Sequence, residues 1–160
     1  LTLEGDTLLK DGEPFHEPVI YTGALDELMG YRLGRLPYRT LDFRFETLPT
    51  DSYQPVGVVN YTVDRPYTRI TEFKKLTGQK LDGITTITKE YPRACEAPDI
   101  PYYPIPDADS AARYAAYRQK ADVCKNLTLL GRLAEYQYYN IDTIVTRALD
   151  AGRALLRQAR

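Results

Sequence analysis

The sequence predicts an α+β fold, with an antiparallel sheet of about four to six strands and flanking helices that include a long C-terminal helix. Two patterns indicate this class. Between Tyr38 and Tyr91, short segments rich in β-branched and aromatic residues are separated by turn-forming residues, which is typical of antiparallel strands. From Asn140 onward, apolar residues recur at the spacing of one helix face. The chain of 160 residues has the length of about one domain.

The first 34 residues are predicted to connect into a strand and then a short helix. The strand is "PVIYTG" and the helical piece is "ALDELMGYRLG". Gly23 at the end of the strand, and Gly30 and Gly34 in the helical piece, favour turns at these positions. We therefore expect no other regular element before the central sheet.

Four segments are candidate strands of that sheet. The first, "YRTLDFRFETL", alternates three apolar residues with three charged ones, namely Leu41, Phe43 and Phe45 against Asp42, Arg44 and Glu46. This period of two predicts a half-buried strand. The others are "VGVVNYTV", "YTRITEFKKL" and "GITTITKEY". Because the connections "DRP" and "TGQKLDG" are short and rich in turn residues, we expect an antiparallel meander.

A proline-rich crossing, "PRACEAPDIPYYPIPDADS", follows the predicted sheet. Its five prolines disfavour a regular ladder, so it is expected to run over a surface or line a groove. Asp109 or Ser110 then opens a predicted helix through about Val123, and "LTLLGRL" follows as a short strand.

The last predicted helix begins at Asn140, a residue type that favours the N-cap position. Asp142 lies in its first turn, where a carboxylate complements the helix dipole. The apolar face of this helix consists of Ile141, Ile144, Val145, Ala148, Leu149, Leu155 and Leu156. We expect an amphipathic helix that packs along this face.

The charge balance excludes several classes of function. The chain has 21 basic and 22 acidic side chains, a net charge of −1, and no long run of one sign. This argues against nucleic acid as a partner and against attraction to an anionic membrane. No apolar run is long enough for a membrane span. The start of the chain does not resemble a signal peptide, and two cysteines suit a reducing compartment, so a cytoplasmic location is predicted.

Known catalytic and metal motifs are absent from the sequence. A single histidine, His16, would have to serve either Ser52 or Ser110 in a hydrolase triad, an arrangement that the sequence does not favour. The histidine and the two cysteines, Cys95 and Cys124, lack the paired spacing of a structural zinc site, so no metal is predicted. The chain also contains no glycine-rich phosphate loop.

Arginines that lie beside tyrosines are the most informative feature of the composition. The chain has 14 tyrosines, 4 phenylalanines and no tryptophan. The pairing recurs in "PYRT" (Arg39), "RPYTR" (Arg65 and Arg69) and "GRLAEYQYY" (Arg132), and "PYYP" adds two further tyrosines. A guanidinium fork together with neutral hydroxyl donors suits a diphosphate. The alternative is that the arginine stems pack on tyrosine rings at a sheet surface.

Five motifs, in their order along the chain, resemble the C-terminal part of the UDP-galactopyranose mutases. The resemblance covers about residues 19–150. The motifs are "YTGALDELMGYRLGRLPYRTLDF", "VVNYTVDRPYTRITEFKK", "TKEYP", "PYYPI" and "GRLAEYQYYNIDTIVTRAL". The resemblance implies a piece of a larger FAD-linked α/β enzyme. Residues 1–34 would be an edge segment of the FAD-binding part, and residues 35–106 an antiparallel-sheet region that covers substrate and flavin. Residues 107–160 would form a helix-strand-helix that returns to the FAD-binding part.

The implied activity is an isomerase that interconverts UDP-galactopyranose and UDP-galactofuranose for cell-surface glycan synthesis. This family uses reduced FAD without net redox change, through an adduct between flavin N5 and the sugar. The protein would hold the diphosphate leaving group and position the anomeric carbon. A homo-oligomer is left open.

The resemblance also assigns roles by position. Arg39 and Glu90 match catalytic positions, while Arg69, Tyr103 and Tyr138 match residues on the substrate diphosphate. For the flavin, the matches are Arg132 and the helix N-terminus at Asn140, Ile141 and Asp142. One position departs from the family, because many members read "YYDM" where this chain reads "YYNI". A carboxylate role at Asn140 is therefore in doubt.

Without the upstream FAD-binding region and the uridine-binding residues, we expect the 160-residue chain alone to be inactive and not to retain FAD. Two other functions are left open. One is a sugar-nucleotide binding module that uses the same arginines and tyrosines without catalysis. The other is a related flavoprotein that carries out true redox chemistry.

Overall fold

The computed structural model describes residues 1–62 and 64–158 and has the predicted α+β class. The chain forms two compact units, one from Leu1–Tyr38 with Pro98–Arg160 and the other from Arg39–Ala97. The elements in chain order are β1 (Thr2–Glu4), β2 (Thr7–Lys10), β3 (Glu13–Pro14), β4 (Val19–Tyr21), α1 (Leu25–Leu28), β5 (Tyr38–Leu48), β6 (Val58–Asn60), β7 (Arg69–Glu72), α2 (Phe73–Thr77), β8 (Thr85–Ala94), β9 (Tyr103–Pro104), α3 (Ala108–Ala121), β10 (Leu127–Leu129) and α4 (Ile141–Gln158).

The N-terminal residues form a small antiparallel sheet, so the prediction of a mere connector was wrong. Its strand order is β1-β2-β3, and Leu3 and Leu8 lie opposite each other and are buried. The turn between β2 and β3 is Asp11-Gly12, and both residues have positive φ, 54° and 88°. An Asp-Gly pair adopts this conformation readily, which makes it a strong hairpin signal.

The larger unit also contains the predicted strand "PVIYTG" and the short helix α1. Strand β4 pairs in parallel with β10, with Val19 beside Leu127. Strand β10 ends at Leu129, so only the first part of the predicted strand "LTLLGRL" is confirmed. Helix α1 buries Leu25 and Leu28.

Helix α3 begins slightly earlier than predicted, because its N-cap is Asp107. The Asp107 carboxylate accepts a hydrogen bond from the Ser110 N–H at 2.7 Å, and the Ser110 Oγ accepts one from the Asp107 N–H at 2.8 Å. This reciprocal capping box satisfies two backbone donors. Hydrogen bonding lowers the pKa of the Asp107 carboxyl, since the Ser110 backbone N–H donates to the charged form.

The antiparallel sheet has the strand order β6-β7-β8-β5-β9, and the smaller unit contains β6, β7, β8 and nearly all of β5. Strands β6, β7 and β8 form the predicted meander. Strand β5 has the predicted bounds but pairs with β8 over its whole length, from Arg39 opposite Ala94 to Leu48 opposite Thr85. The sequence pattern assigns no neighbour to β5. Strand β9 joins at the Tyr38 end of β5, where the Ile105 N–H donates to the Pro37 carbonyl at 3.0 Å.

A buried carboxylate holds the segment that follows β5. Glu72 is fully buried and accepts hydrogen bonds from the N–H groups of Tyr53 (3.1 Å) and Gln54 (3.0 Å) and from the Thr85 hydroxyl (2.8 Å). The segment after β5 is thus held across the sheet and reaches the far edge before β6 begins. Burial alone would raise the pKa of Glu72, but these hydrogen bonds outweigh it and lower the pKa.

Three further strand predictions differ from the structure. The segment "YTRITEFKKL" ends as a strand at Glu72 and continues as α2, which closes at Gly78 with φ 70°. Strand β8 continues through Pro92 to Ala94, beyond the point where β7 pairs with it, and a proline is tolerated where one side of a strand is unpaired. The predicted strand "VGVVNYTV" is shortened to β6, and its last residue, Val63, lies outside the described residues.

Two apolar faces that were expected to be buried are exposed. Phe45 is 64% exposed and stacks on Phe73 with ring centroids 6.0 Å apart, and Phe43 is also exposed. The alternation in β5 therefore predicts the position of the strand correctly, but it does not predict that Phe43 and Phe45 are exposed. Helix α4 is amphipathic as predicted, yet Ile141 and Leu149 on its apolar face are exposed.

Candidate active site

An ion pair between adjacent strands brings together two of the predicted site residues. Arg69 on β7 lies directly opposite Glu90 on β8, and opposite residues of an antiparallel pair share one face of the sheet. The Arg69 Nη1 and the Glu90 Oε1 are 3.5 Å apart. The Glu90 side chain is only 11% exposed, whereas that of Arg69 is 41% exposed. The carboxylate therefore lies beneath a guanidinium that solvent and ligands can reach.

Asn60 on β6 completes this arrangement and was missed from the sequence. It lies opposite Arg69, and its Oδ1 accepts a hydrogen bond from the Arg69 Nε–H at 2.9 Å. The guanidinium is thus held by an amide on one side and a carboxylate on the other. In the sequence, Asn60 belongs to "NYT", which matches the glycosylation triplet and does not indicate a contact with Arg69. Only the strand register identifies Asn60 as a partner of Arg69.

Arg39 does not take part in this cluster. It lies in β5 opposite Ala94, four residues along the strand from Phe43, which is the residue opposite Glu90. Four residues of an extended strand span about 13 Å. Arg39 is exposed and shares the sheet face with Glu90, because residues with an even spacing point to the same side.

The larger unit contains a second cluster, in which Arg132 lies against two of the predicted tyrosines. Its guanidinium carbon is 4.6 Å from the ring centre of Tyr138 and 5.8 Å from that of Tyr103. The two rings are 6.2 Å apart. The Arg132 Nε–H donates to the Tyr139 carbonyl at 2.8 Å. Contacts of this kind orient a cation while leaving part of its fork available to a ligand.

The tyrosines around this cluster fall into two groups. Tyr138 is 60% exposed, so its hydroxyl is accessible. Tyr136 and Tyr139 are buried, as expected of packing residues. The Tyr136 hydroxyl lies 2.8 Å from the Pro37 carbonyl and 2.9 Å from that of Ile105, and burial raises its pKa. Tyr136 therefore anchors the loop that carries Arg132.

Helix α4 begins directly after Asn140, close to the predicted start. The Asn140 carbonyl accepts the hydrogen bond of the Ile144 N–H at 3.0 Å. Asn140, Ile141 and Asp142 are all exposed, and the first N–H groups of a helix have no partner within it. These open donors at the positive end of the helix dipole suit an electron-rich ligand.

Other classes of site find less support. Within residues 1–62 and 64–158, no cluster of His, Cys, Asp and Glu side chains could hold a metal ion. Cys124 is buried and donates its S–H to the Asn126 Oδ1 at 3.2 Å. The same residues contain no helix that could cross a bilayer.

The fold is α+β, and each of the two clusters presents an arginine of the kind that suits an anionic ligand. A model of the family described as UDP-galactopyranose mutase matches residues 3–138. The chain belongs to this family.

Three relatives illustrate the similarity. A probable UDP-galactopyranose mutase of Klebsiella pneumoniae is 44% identical over 86% of this chain. A UDP-galactopyranose mutase of Mycoplasma pneumoniae is 35% identical over 98% of it. A dTDP-fucopyranose mutase of Escherichia coli is 36% identical over 87% of it. The chain spans 36%, 41% and 37% of the lengths of these proteins, respectively.

Proposed function

We propose that this chain is the C-terminal part of an enzyme that interconverts UDP-galactopyranose and UDP-galactofuranose for glycan synthesis. The family match over residues 3–138 is the observation that carries this proposal. The two arginine clusters support it, because each offers a guanidinium whose orientation is fixed in advance. Residues 1–34 and 107–160 are proposed to belong to the FAD-binding part, and residues 35–106 to the region that covers substrate and flavin.

Arg69 is proposed to bind the diphosphate of the substrate. Its Nε is held by Asn60 and its Nη1 by Glu90, so the side chain loses little further freedom when an anion arrives. A guanidinium fork fits phosphate oxygens in a bidentate manner and offsets the charge that develops as UDP leaves. Glu90 acts by keeping this fork oriented, and Arg39 is proposed to act close to the sugar.

Tyr103 and Tyr138 are proposed to donate their hydroxyls to the substrate diphosphate. Their rings flank Arg132, which fixes their orientation without adding a second cation at the phosphates. These donors would help to hold cleaved UDP in place until it returns to the sugar. Retention of the leaving group is the positional task that this isomerisation requires.

Arg132 and the amides of Asn140, Ile141 and Asp142 are proposed to face FAD. A cation and open helix N–H groups form a donor set that fits an electron-rich reduced isoalloxazine. These residues would hold FAD, and the reduced cofactor, when bound, would supply a nucleophile for the anomeric carbon without net redox change. The uncharged Asn140 contributes its backbone here and no carboxylate.

The relative that is a dTDP-fucopyranose mutase makes dTDP-fucose the second candidate substrate. A binding module without catalysis and a redox flavoprotein are two further candidate functions. The four candidates are a mutase for either sugar nucleotide, a binding module and a redox enzyme. They differ in which sugar is converted and in whether reductant is consumed, so one assay separates them. Full-length protein with reduced FAD is incubated with UDP-galactofuranose or dTDP-fucofuranose, while the sugar products and the reductant are both quantified.

We expect UDP-galactopyranose to form at catalytic FAD without stoichiometric loss of reductant. Preferred conversion of the dTDP sugar would transfer the assignment to the second substrate. Binding without conversion would favour the module, and consumption of one reductant per sugar would favour the redox enzyme. Either of the last two results would contradict a mutase.

A further inference from the structure

The loop 131–139 leads from β10 into helix α4 and carries both Arg132 and Tyr138. It begins at Gly131, with φ 104°, and contains a second left-handed residue, Tyr136, with φ 49°. The Glu135 N–H donates to the Gly131 carbonyl at 2.9 Å. The loop is therefore a compact turn whose geometry depends on the contacts that close it.

The Glu135 side chain provides one such contact and is only 8% exposed. Its Oε2 accepts a hydrogen bond from the Gly131 N–H at 2.9 Å. The same oxygen accepts from the Arg147 Nε–H at 3.3 Å, and the Arg147 Nη2 binds the other carboxylate oxygen. One carboxylate thus ties the start of the loop to the second turn of α4.

Arg147 extends this connection to the end of the loop. Its guanidinium carbon is 5.1 Å from the ring centre of Tyr139. The carbonyl of Tyr139 in turn accepts the hydrogen bond from Arg132. The hydrogen bonds that Arg147 donates to Glu135 raise the pKa of Arg147. A continuous set of contacts therefore runs from Glu135 through Arg147 and Tyr139 to Arg132.

We propose that Glu135 is a positioning residue for the Arg132 and Tyr138 cluster. It acts through Arg147 and fixes the cluster relative to the first turn of α4, which follows Asn140. This inference rests on the function proposed above, in which Tyr138 binds the diphosphate. Neither Glu135 nor Arg147 contacts the substrate in this account.

Steady-state kinetics of the full-length protein test the proposal. Glu135→Ala and Arg147→Ala are each expected to raise KM for the UDP sugar about tenfold, because a displaced Tyr138 loses a hydrogen bond in ground and transition states alike. The double variant should be no worse than either single one, since both break the same connection. Glu135→Gln retains an acceptor for Gly131 and should restore part of the loss.

Arg153→Ala is the matched control, because Arg153 lies on the same helix and pairs with Asp150 at 3.3 Å, away from the loop. It should leave KM unchanged. A role in stability alone would lower the active fraction and therefore kcat, with KM unchanged in the Glu135 and Arg147 variants. That result, or additive losses in the double variant, would overturn the proposal.

A substrate-free measurement separates this inference from the proposed function. In ¹⁵N NMR spectra of the substrate-free full-length protein, the Arg132 Nε–H should shift and exchange faster with solvent in Arg147→Ala, but not in Arg153→Ala. An unchanged Arg132 signal would overturn the positioning role even in an active enzyme. Absence of mutase activity in the wild type would instead refute the proposed function, while the NMR result would still decide whether Glu135 and Arg147 orient Arg132.

Discussion

At the residue scale, the two arginines of the candidate site are held by different chemistry. Arg69 is oriented by a carboxylate and an amide on neighbouring strands, whereas Arg132 is oriented by two tyrosine rings and a backbone carbonyl. Ionic and amide contacts fix the direction of the fork. Aromatic contacts leave the edge of the guanidinium accessible. Both arrangements suit a ligand that carries negative charge.

Tyr138 offers the most selective test at this scale. Tyr138→Phe removes the hydroxyl but keeps the ring against Arg132, so UDP affinity of the full-length protein should fall about fivefold to tenfold. Isothermal titration calorimetry measures this change. Tyr91→Phe is the control, because the Tyr91 ring packs against Arg44 at 4.3 Å on the sheet of the smaller unit. Equal affinity in wild type and Tyr138→Phe would show that this hydroxyl does not bind the nucleotide.

At the scale of elements, the sequence predicts strands better than it predicts their neighbours. Alternating residues define β5 with the bounds Tyr38–Leu48 that the structure has. The pairing of β5 with β8 could not be predicted, because it joins residues far apart in sequence, such as Phe43 and Glu90, and the pattern of one strand does not specify its neighbour. The Asp11-Gly12 hairpin could have been predicted from the dipeptide alone.

The same limit applies to the candidate site. The motif resemblance identifies Arg69 and Glu90 as separate positions, but only the strand register makes them an ion pair. Asn60 joins them for the same reason. The burial of Phe43 and Phe45 was predicted wrongly, because period-two alternation specifies which side of a strand is apolar and not whether another layer covers that side.

Glu72 gives a prediction about stability and pH. Its folded-state pKa is lowered below the ordinary value of 4.5, so the carboxylate stabilises the fold above that pH and loses this contribution as pH falls through the folded-state pKa. Glu72→Gln should lower the free energy of unfolding at pH 7 by about 2 kcal/mol and flatten its decline in acid. Urea denaturation at pH 7 and at pH 4 measures both effects.

Glu46→Gln is the control for Glu72. Glu46 pairs with Lys89 at 2.7 Å but is 40% exposed, and exposed ion pairs contribute little to stability. Its variant should stay within about 0.5 kcal/mol of the wild type. If Glu46→Gln lowered the free energy of unfolding as much as Glu72→Gln, burial of the Glu72 carboxylate would be unimportant for stability.

At the scale of the whole molecule, the chain covers about two fifths of the length of its relatives. It contains no glycine-rich dinucleotide loop in its sequence. The candidate groups for FAD are Arg132 and the start of α4, a small part of what a dinucleotide needs. Catalysis is therefore proposed only for the full-length protein.

The purified 160-residue chain should not retain FAD. After incubation with FAD and gel filtration, its visible absorbance spectrum should lack the flavin bands, because one cation and a few helix amides cannot hold a whole dinucleotide. The full-length protein, treated in the same way, should remain yellow. A stoichiometric flavin spectrum on the short chain would contradict this prediction.

The most direct test of the account is the effect of Arg69→Ala on conversion of UDP-galactofuranose by full-length protein with reduced FAD. Arg44→Ala, a change of an arginine on the opposite sheet face, is the matched control. Arg69→Ala should lower kcat/KM at least about a hundredfold, because the guanidinium is lost. Arg44→Ala should have the kcat/KM of the wild type, and the flavin should undergo no net oxidation. Wild-type activity in a folded, FAD-loaded Arg69→Ala enzyme would contradict the central claim that this arginine holds the substrate diphosphate.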